Sequence, residues 1–352
     1  MRVETRRLLP ALALVAVGLA ACTRRSEPPP AASEAAPPAA MSGAPSAAAP
    51  VDAAPAVRAS GAASPDAPPA PPAEPAAAAP PDPSRYAWLT SPGLKAPAVA
   101  DTLSARFPTP PGRARVQVAP GSFAAWLRDL PLASPGTPVT SHKGETVRPA
   151  DDDYLAAVVA MDVGRADLQQ SSDVVLRLHA EWLWSAGERD AISYRAANGT
   201  ELPLARWAKG ERIIAVGAAV TWQKRAKGGA DSHTGFREFL DSVFAFANST
   251  SLAQQATPVA PEDLRPGDFF LHPRSPFHAT LVLDVVVRDD GERLALLGQA
   301  LNPAQSVHVL RPGRGTAWFT LRPERPLLTP YTEEFPWSGL MRLERKVVTD
   351  GG

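Results

Sequence analysis

Asp162-Val163-Gly164-Arg165-Ala166-Asp167-Leu168-Gln169-Gln170-Ser171-Ser172-Asp173-Val174-Val175-Leu176-Arg177-Leu178 reads as the opening of a long interior helix. Asp167 is placed to serve as its N-cap, and Gln170, three residues on, completes a capping box. Leu168 begins an apolar series that continues through Val175, Leu178 and Trp182, and Ser171 lies on or near that face. A small hydroxyl residue in the first turn of a buried helix is where several folds keep a nucleophile. It also serves as a packing residue with a satisfied hydroxyl, and spacing alone leaves both readings open.

Composition bounds the rest. The chain has 352 residues, with 36 basic and 36 acidic side chains, so there is no electrostatic case for nucleic-acid binding. Forty prolines are too many for one compact domain, and every aromatic residue lies at or beyond Tyr86. A core needs large apolar side chains, so a globular domain is expected over 85–347.

The first 22 residues read as a targeting segment. Arg2, Arg6 and Arg7 precede an apolar run over 8–20 that is too short for a membrane span. The run ends in Leu19-Ala20-Ala21-Cys22, which resembles a bacterial lipobox. That resemblance implies cleavage before Cys22 and a lipid anchor on its thiol, so the expected partner is a membrane. Thr23 follows the cysteine where an aspartate would favour retention, and by resemblance to Gram-negative lipoproteins this implies the periplasmic face of the outer membrane. Cys22 is the only cysteine, so the mature chain has no disulfide, no cysteine metal site and no thiol nucleophile. Residues 23–84 are Ala, Pro, Ser and Gly with scattered charges, and such a stretch buries too little apolar surface to offset chain entropy. It is expected to be a disordered tether. Fully extended, some 60 residues at ~3.1 Å each reach about 190 Å.

Within the globular part, Tyr86, Trp88 and Leu89 are expected to form an opening strand. Ser122 caps a short helix over 123–130, and 156–161 reads as a buried strand. The long helix should end near Ser185, before Gly187. Strands are expected over 192–196, 213–220, 269–271, 278–287, 294–297, 306–310 and 340–343, with an amphipathic helix over 236–246. Helices come first and antiparallel strands cluster late, which predicts an α+β fold.

Few residues could carry chemistry. His278 heads a strand whose apolar run has no need of a histidine, and Asp268 sits in the preceding strand turn. Gln299 ends the next strand and is followed by Asn302, Gln305 and His308. A helix-start nucleophile, a strand histidine and a polar residue on the neighbouring strand form the layout of papain-like hydrolases. Trp318 and Trp337, in loop-like surroundings, are the candidates for a binding surface, with Asp268 and Asn302 beside them. His142 and His233 are expected to be solvated in polar loops. His272, His278 and Asp268 do not have a diagnostic metal spacing, and no phosphate loop or HExxH motif occurs, so neither metal nor cofactor is expected.

Two stretches carry a resemblance: Leu264-Arg265-Pro266-Gly267-Asp268-Phe269-Phe270 and Pro276-Phe277-His278-Ala279-Thr280-Leu281-Val282-Leu283-Asp284. They are similar to the Gly-Asp strand and the histidine strand of NlpC-type and CHAP-type cell-wall amidases. The chain also resembles, over about 85–345, the family called domain of unknown function 4846. That likeness rests on residues 121–132, on the 162–178 stretch, on Gly267-Asp268 and on 299–309. The resemblance implies a papain-like core with the nucleophile position at Ser171, the base at His278 and the orienting group at Gln299. Many members read Asp-Leu-Gln-Gln-Cys-Ala-Asp where this chain reads Asp167-Leu168-Gln169-Gln170-Ser171-Ser172-Asp173. A serine has no resting anion comparable to a thiolate and needs its proton removed during attack. Two functions follow as expectations: an envelope hydrolase cutting an amide bond in peptidoglycan stem peptides, or a non-catalytic relative binding the wall or a protein partner. The first expects Ser171, His278 and Gln299 in one cleft with the serine hydroxyl bonded to the imidazole. The second expects that hydroxyl turned away or the cleft closed.

Overall fold

The computed structural model describes residues 82–217, 219–225, 229–272, 277–332 and 334–345. All of them belong to the unit Ala70–Gly352. The expected targeting segment over 1–22, and the expected tether over 23–84 except for residues 82–84, lie outside the described residues. The fold is α+β. One nine-stranded antiparallel sheet carries it. From one edge the order is Ala256–Pro258, Leu340–Leu343, Asp268–Leu271, Ala279–Val287, Arg293–Gln299, His308–Leu310 and Leu155–Val158. Ala114–Arg115 pairs with the far end of Ala279–Val287, and Phe319–Leu321 with the start of Arg293–Gln299.

The two central strands are apolar at nearly every position because the sheet is covered on both faces. Leu281, Leu283 and Val286 face the helices, while Val282 and Val285 join Phe270, Phe319, Phe335 and Leu340 on the other side. A bulge between Val282 and Asp284 shifts the register. Past it, Asp284 emerges fully buried between two cations, accepting from Arg115 Nε at 2.6 Å and Arg128 Nε at 2.9 Å.

The central helix runs from Ser171 to Ser185 and stops before Gly187, which has φ +76°. It opens later than the sequence predicts. The Asp167 carboxylate is engaged elsewhere, accepting the backbone N–H of Ala304 at 2.6 Å. Gln170 is the N-cap instead, and its own N–H donates to Asp173 at 3.1 Å. Ser171 therefore moves from the end of the first turn to the first helical position, and Leu168 lies ahead of the helix.

This helix is buried around most of its circumference, charged residues included. Arg177, fully buried, donates to Asp162 at 2.8 Å, to Gln169 at 2.7 Å and to Glu181 at 2.9 Å. Glu181 in turn meets His233 Nε2 at 2.8 Å, and Arg237 reaches Asp162 at 3.3 Å and pairs with Asp241. This network joins the helix to the 162–169 loop and to the helix His233–Phe246. His233 is thus a hydrogen-bond partner of Glu181 at the start of a helix and not a solvated loop residue. His142 is also largely covered, its Nδ1 4.0 Å from Asp167. Gly164 sits at φ +90°, a conformation that favours glycine, and a Cβ there would lie 2.6 Å from Arg237 Nη2 and push on the tip of that networked side chain.

The N-terminal part belongs to the same core. The segment forms two 3-10 turns, Pro83–Arg85 and Ala87–Leu89, and not the expected strand; Tyr86, between them, and Trp88 pack tilted or edgewise against Trp126. Trp88 Nε1 donates to the Ala160 carbonyl at 2.7 Å. The run 213–220 is likewise two strands, Glu211–Val216 and Ala219–Lys224, folded into a hairpin at Gly217.

Candidate active site

Ser171 stands at the helix start because the Gln170–Asp173 capping interaction fixes the chain there. In that position its N–H points out of the first turn without an intrahelical acceptor. His278 immediately precedes the strand Ala279–Val287, and Gln299 closes the neighbouring strand. Ser171, His278 and Asn302 line one cavity of about 670 Å³, with Gln170, His272, Phe277, Leu301, Tyr331, Thr332 and Phe335. None of these lining residues is acidic or basic apart from the histidines.

His278 is 6 % exposed and Gln299 only 1 %, so their mutual bond is made away from water. His278 Nε2 lies 2.9 Å from Gln299 Oε1. An amide oxygen only accepts, so Nε2 carries the ring proton and Nδ1 is the basic nitrogen. Nδ1 has no partner among the described residues, yet it is not among the buried orphan atoms, so it reaches the cavity. Burial pulls the imidazole down to about pKa 4, against a smaller opposing effect of the Gln299 bond. It is neutral at pH 7 and available as a proton acceptor.

The Ser171 hydroxyl makes no hydrogen bond among the described residues, to His278 or otherwise. The three sequence-predicted residues are brought together, and the expected serine–histidine bond is not formed. Behind Ser171, burial pushes the Asp173 carboxyl up to about 7, with bonds from Gln170 and its own backbone opposing. A smaller cavity of about 310 Å³, lined by Ser171, Asp173, Phe277 and Asn248 among others, adjoins the first along Gln170, Ser171 and Phe277.

Other predicted site residues lie elsewhere. Asp268 is fully buried and held by Arg342 through both carboxylate oxygens, outside the 670 Å³ cavity. Trp318 is 6 % exposed and belongs to the helix-side core; its polar sequence neighbours hid a partner that the sheet supplies. Trp337 is half-buried, donates its indole N–H to the carbonyls of Arg322 and Arg325, and lines a separate cavity with Arg288 and Arg293.

Sequence reasoning missed Tyr331. It is the one described non-glycine residue with positive φ, at +73°, and its ring lies under Arg148 at 3.3 Å while its hydroxyl donates to Asp152 at 2.5 Å. Such strain in a cavity wall is a feature of functional sites, and no sequence pattern marks it.

A protein with this antiparallel sheet and the helices packed on it falls in the α+β class. The chain belongs to the family described as domain of unknown function 4846, which it matches over residues 103–342. Comparison with curated proteins and with solved structures returns no match.

Proposed function

We propose that the chain is a lipid-anchored envelope hydrolase of papain-like construction. It cleaves an amide bond in peptidoglycan stem peptides by acyl transfer through Ser171. One observation carries the reading: the Gln299 bond to His278 Nε2 leaves Nδ1 as the base, open to the cavity that Ser171 heads. In this reading Ser171 Oγ attacks the substrate carbonyl as its proton passes to Nδ1. The oxyanion forms beside the N–H of Ser171, at the positive end of the helix. Collapse expels the amine, which takes the proton from Nδ1, and water then repeats the sequence on the acyl-serine. The described lining includes the apolar and aromatic side chains of Phe277, Leu301, Tyr331 and Phe335, which would pack on an apolar part of the acyl segment.

The test is the described domain on purified sacculi, beside Ser171→Ala and Ser171→Cys. Release of soluble peptide fragments by the native chain and none by Ser171→Ala is the expected result. A silent native chain would sink the reading, whatever the cysteine form does.

The missing bond between Ser171 and His278 favours a second reading, a lapsed enzyme that binds wall fragments without cutting. It predicts sacculus binding by the native chain and activity only in Ser171→Cys. Attachment is tested separately: mass spectrometry of the mature protein should find an acylated Cys22, and Cys22→Ser should release the chain from membranes.

A further inference from the structure

Gln299 and His308 are register partners on adjacent antiparallel strands, so their side chains share a face. His308 is fully buried, and its Nδ1 lies 2.9 Å from the Ser306 carbonyl oxygen. A carbonyl only accepts, so Nδ1 carries the proton and Nε2 is a bare acceptor. Burial pulls His308 to about 4, with the nearby Arg148 charge acting the same way and the Ser306 bond and Asp152 opposing, so the ring is neutral.

Two buried atoms on this pair have no partner: His308 Nε2, an acceptor without a donor, and Gln299 Nε2, a donor without an acceptor. Leaving either unsatisfied in the interior is costly, because the group has given up its water and gained no partner. Each is what the other lacks.

The pairing matters because a glutamine amide is nearly symmetric in shape. Flipped, Gln299 would present its NH2 to His278 Nε2. The ring proton would then move to Nδ1, and Ser171 would face a donor in place of a base. His278 cannot prevent this, since its ring adapts to either amide orientation. His308 can, because Ser306 has already fixed its tautomer. Gln305 Oε1 is another buried orphan acceptor, but it belongs to a residue bridged to Ser141 and not to a strand neighbour of Gln299.

We propose that His308 is a positioning residue that holds the Gln299 NH2 group on its bare Nε2 across one bridging water, the two atoms not being bonded to each other, and so sets the proton on His278 Nε2. The order of donors runs one way: His278 to Gln299, Gln299 to His308, His308 to the Ser306 carbonyl. The catalytic meaning of this chain rests on the Ser171 reading; the tautomer it imposes does not.

The test is long-range ¹H–¹⁵N correlation on the histidine-labelled protein, which reads the protonated nitrogen of each ring without turnover. In the native chain, His308 should be protonated at Nδ1 and His278 at Nε2, each as a single tautomer. His308→Phe keeps a ring and removes the acceptor; His278 should then become a mixture of tautomers. His308→Gln returns an acceptor and should restore the single form. In whichever of the native or Ser171→Cys backgrounds is active, His308→Phe should lower kcat at least tenfold with KM little changed. A native His308 protonated at Nε2 overturns the proposal with no variant needed. So does a His278 that stays a single Nε2–H tautomer in His308→Phe. An inactive Ser171 and Ser171→Cys pair would defeat the hydrolase reading and leave the tautomer result standing.

Discussion

At the scale of single residues, the decisive quantity is the protonation state of His278. Burial holds it near 4, so the imidazole is uncharged across the neutral range, as the proposed role of base requires. The expected pH profile of kcat/KM is therefore flat from pH 8 to about 6, with a loss only as pH falls toward 4. Gln299→Glu places a carboxylate against Nε2 in the same buried setting, and an adjacent negative charge favours the imidazolium. The acid limb should then move upward by at least one pH unit, which a pH–rate series on the two proteins measures. His278 and Gln299 were legible in the sequence because an imidazole opening an apolar run, and an amide closing the next, have no packing reason to be there. His308 was legible as a polar residue but not as a partner, because its role depends on strand register. Ser171 was found with the wrong helix start. The capping signal at Asp167 was read locally, and its true partner, Ala304, lies 137 residues away.

At the scale of elements, the central helix is an unusual core element because its interior side carries full charges. Arg177 is the hub, with Asp162, Gln169 and Glu181 all accepting from it. Asp162 is held at about 2 although its burial acts in the opposite direction, because Arg177 and Arg237 both favour its charged form. Removing the hub strips Asp162 and Glu181 of their shared buried cation and leaves them only Arg237 and His233, a loss of about 3–5 kcal/mol. Arg177→Met should lower the free energy of unfolding in urea by that amount, whereas a solvent-exposed pair such as Arg195–Glu201 should give under ~1 kcal/mol. The late strands were readable because each is a short apolar run closed by a turn. The hairpin 211–224 was not, because both of its strands and the Gly217 turn fall within or beside one continuous apolar run that periodicity cannot divide. The short pairings of the N-terminal part, such as Val99–Thr102 with Pro131–Ala133, carry too few residues to show any period.

At the scale of the whole molecule, three buried histidines share one direction of linkage. His179, His278 and His308 are each pulled to about 4, by burial first in every case. A histidine with a native pKa below its unfolded ~6.5 binds fewer protons when folded. Its stabilising effect is complete above ~6.5 and is lost as pH falls toward 4, at most about 3 kcal/mol per group. Asp173, raised to about 7, runs the other way: it favours the fold at low pH and loses that effect as pH rises through 7. With three groups against one, the melting temperature should fall steadily between pH 6.5 and 4.5. His179→Phe, remote from the cleft, should make that slope shallower, and a thermal melt series at fixed salt checks both.

The clasp between Asp167 and Ala304 has a consequence for timing. It ties the segment just ahead of the serine to the loop just after the glutamine, and the histidine strand lies between them in the chain. A newly made polypeptide carries its hydroxyl long before it carries the imidazole, and neither finds the other until the final third has been synthesised and has paired. Whatever this cleft does waits on the pairing of the strands that carry the imidazole and the amide, and on the closing of the Asp167–Ala304 clasp.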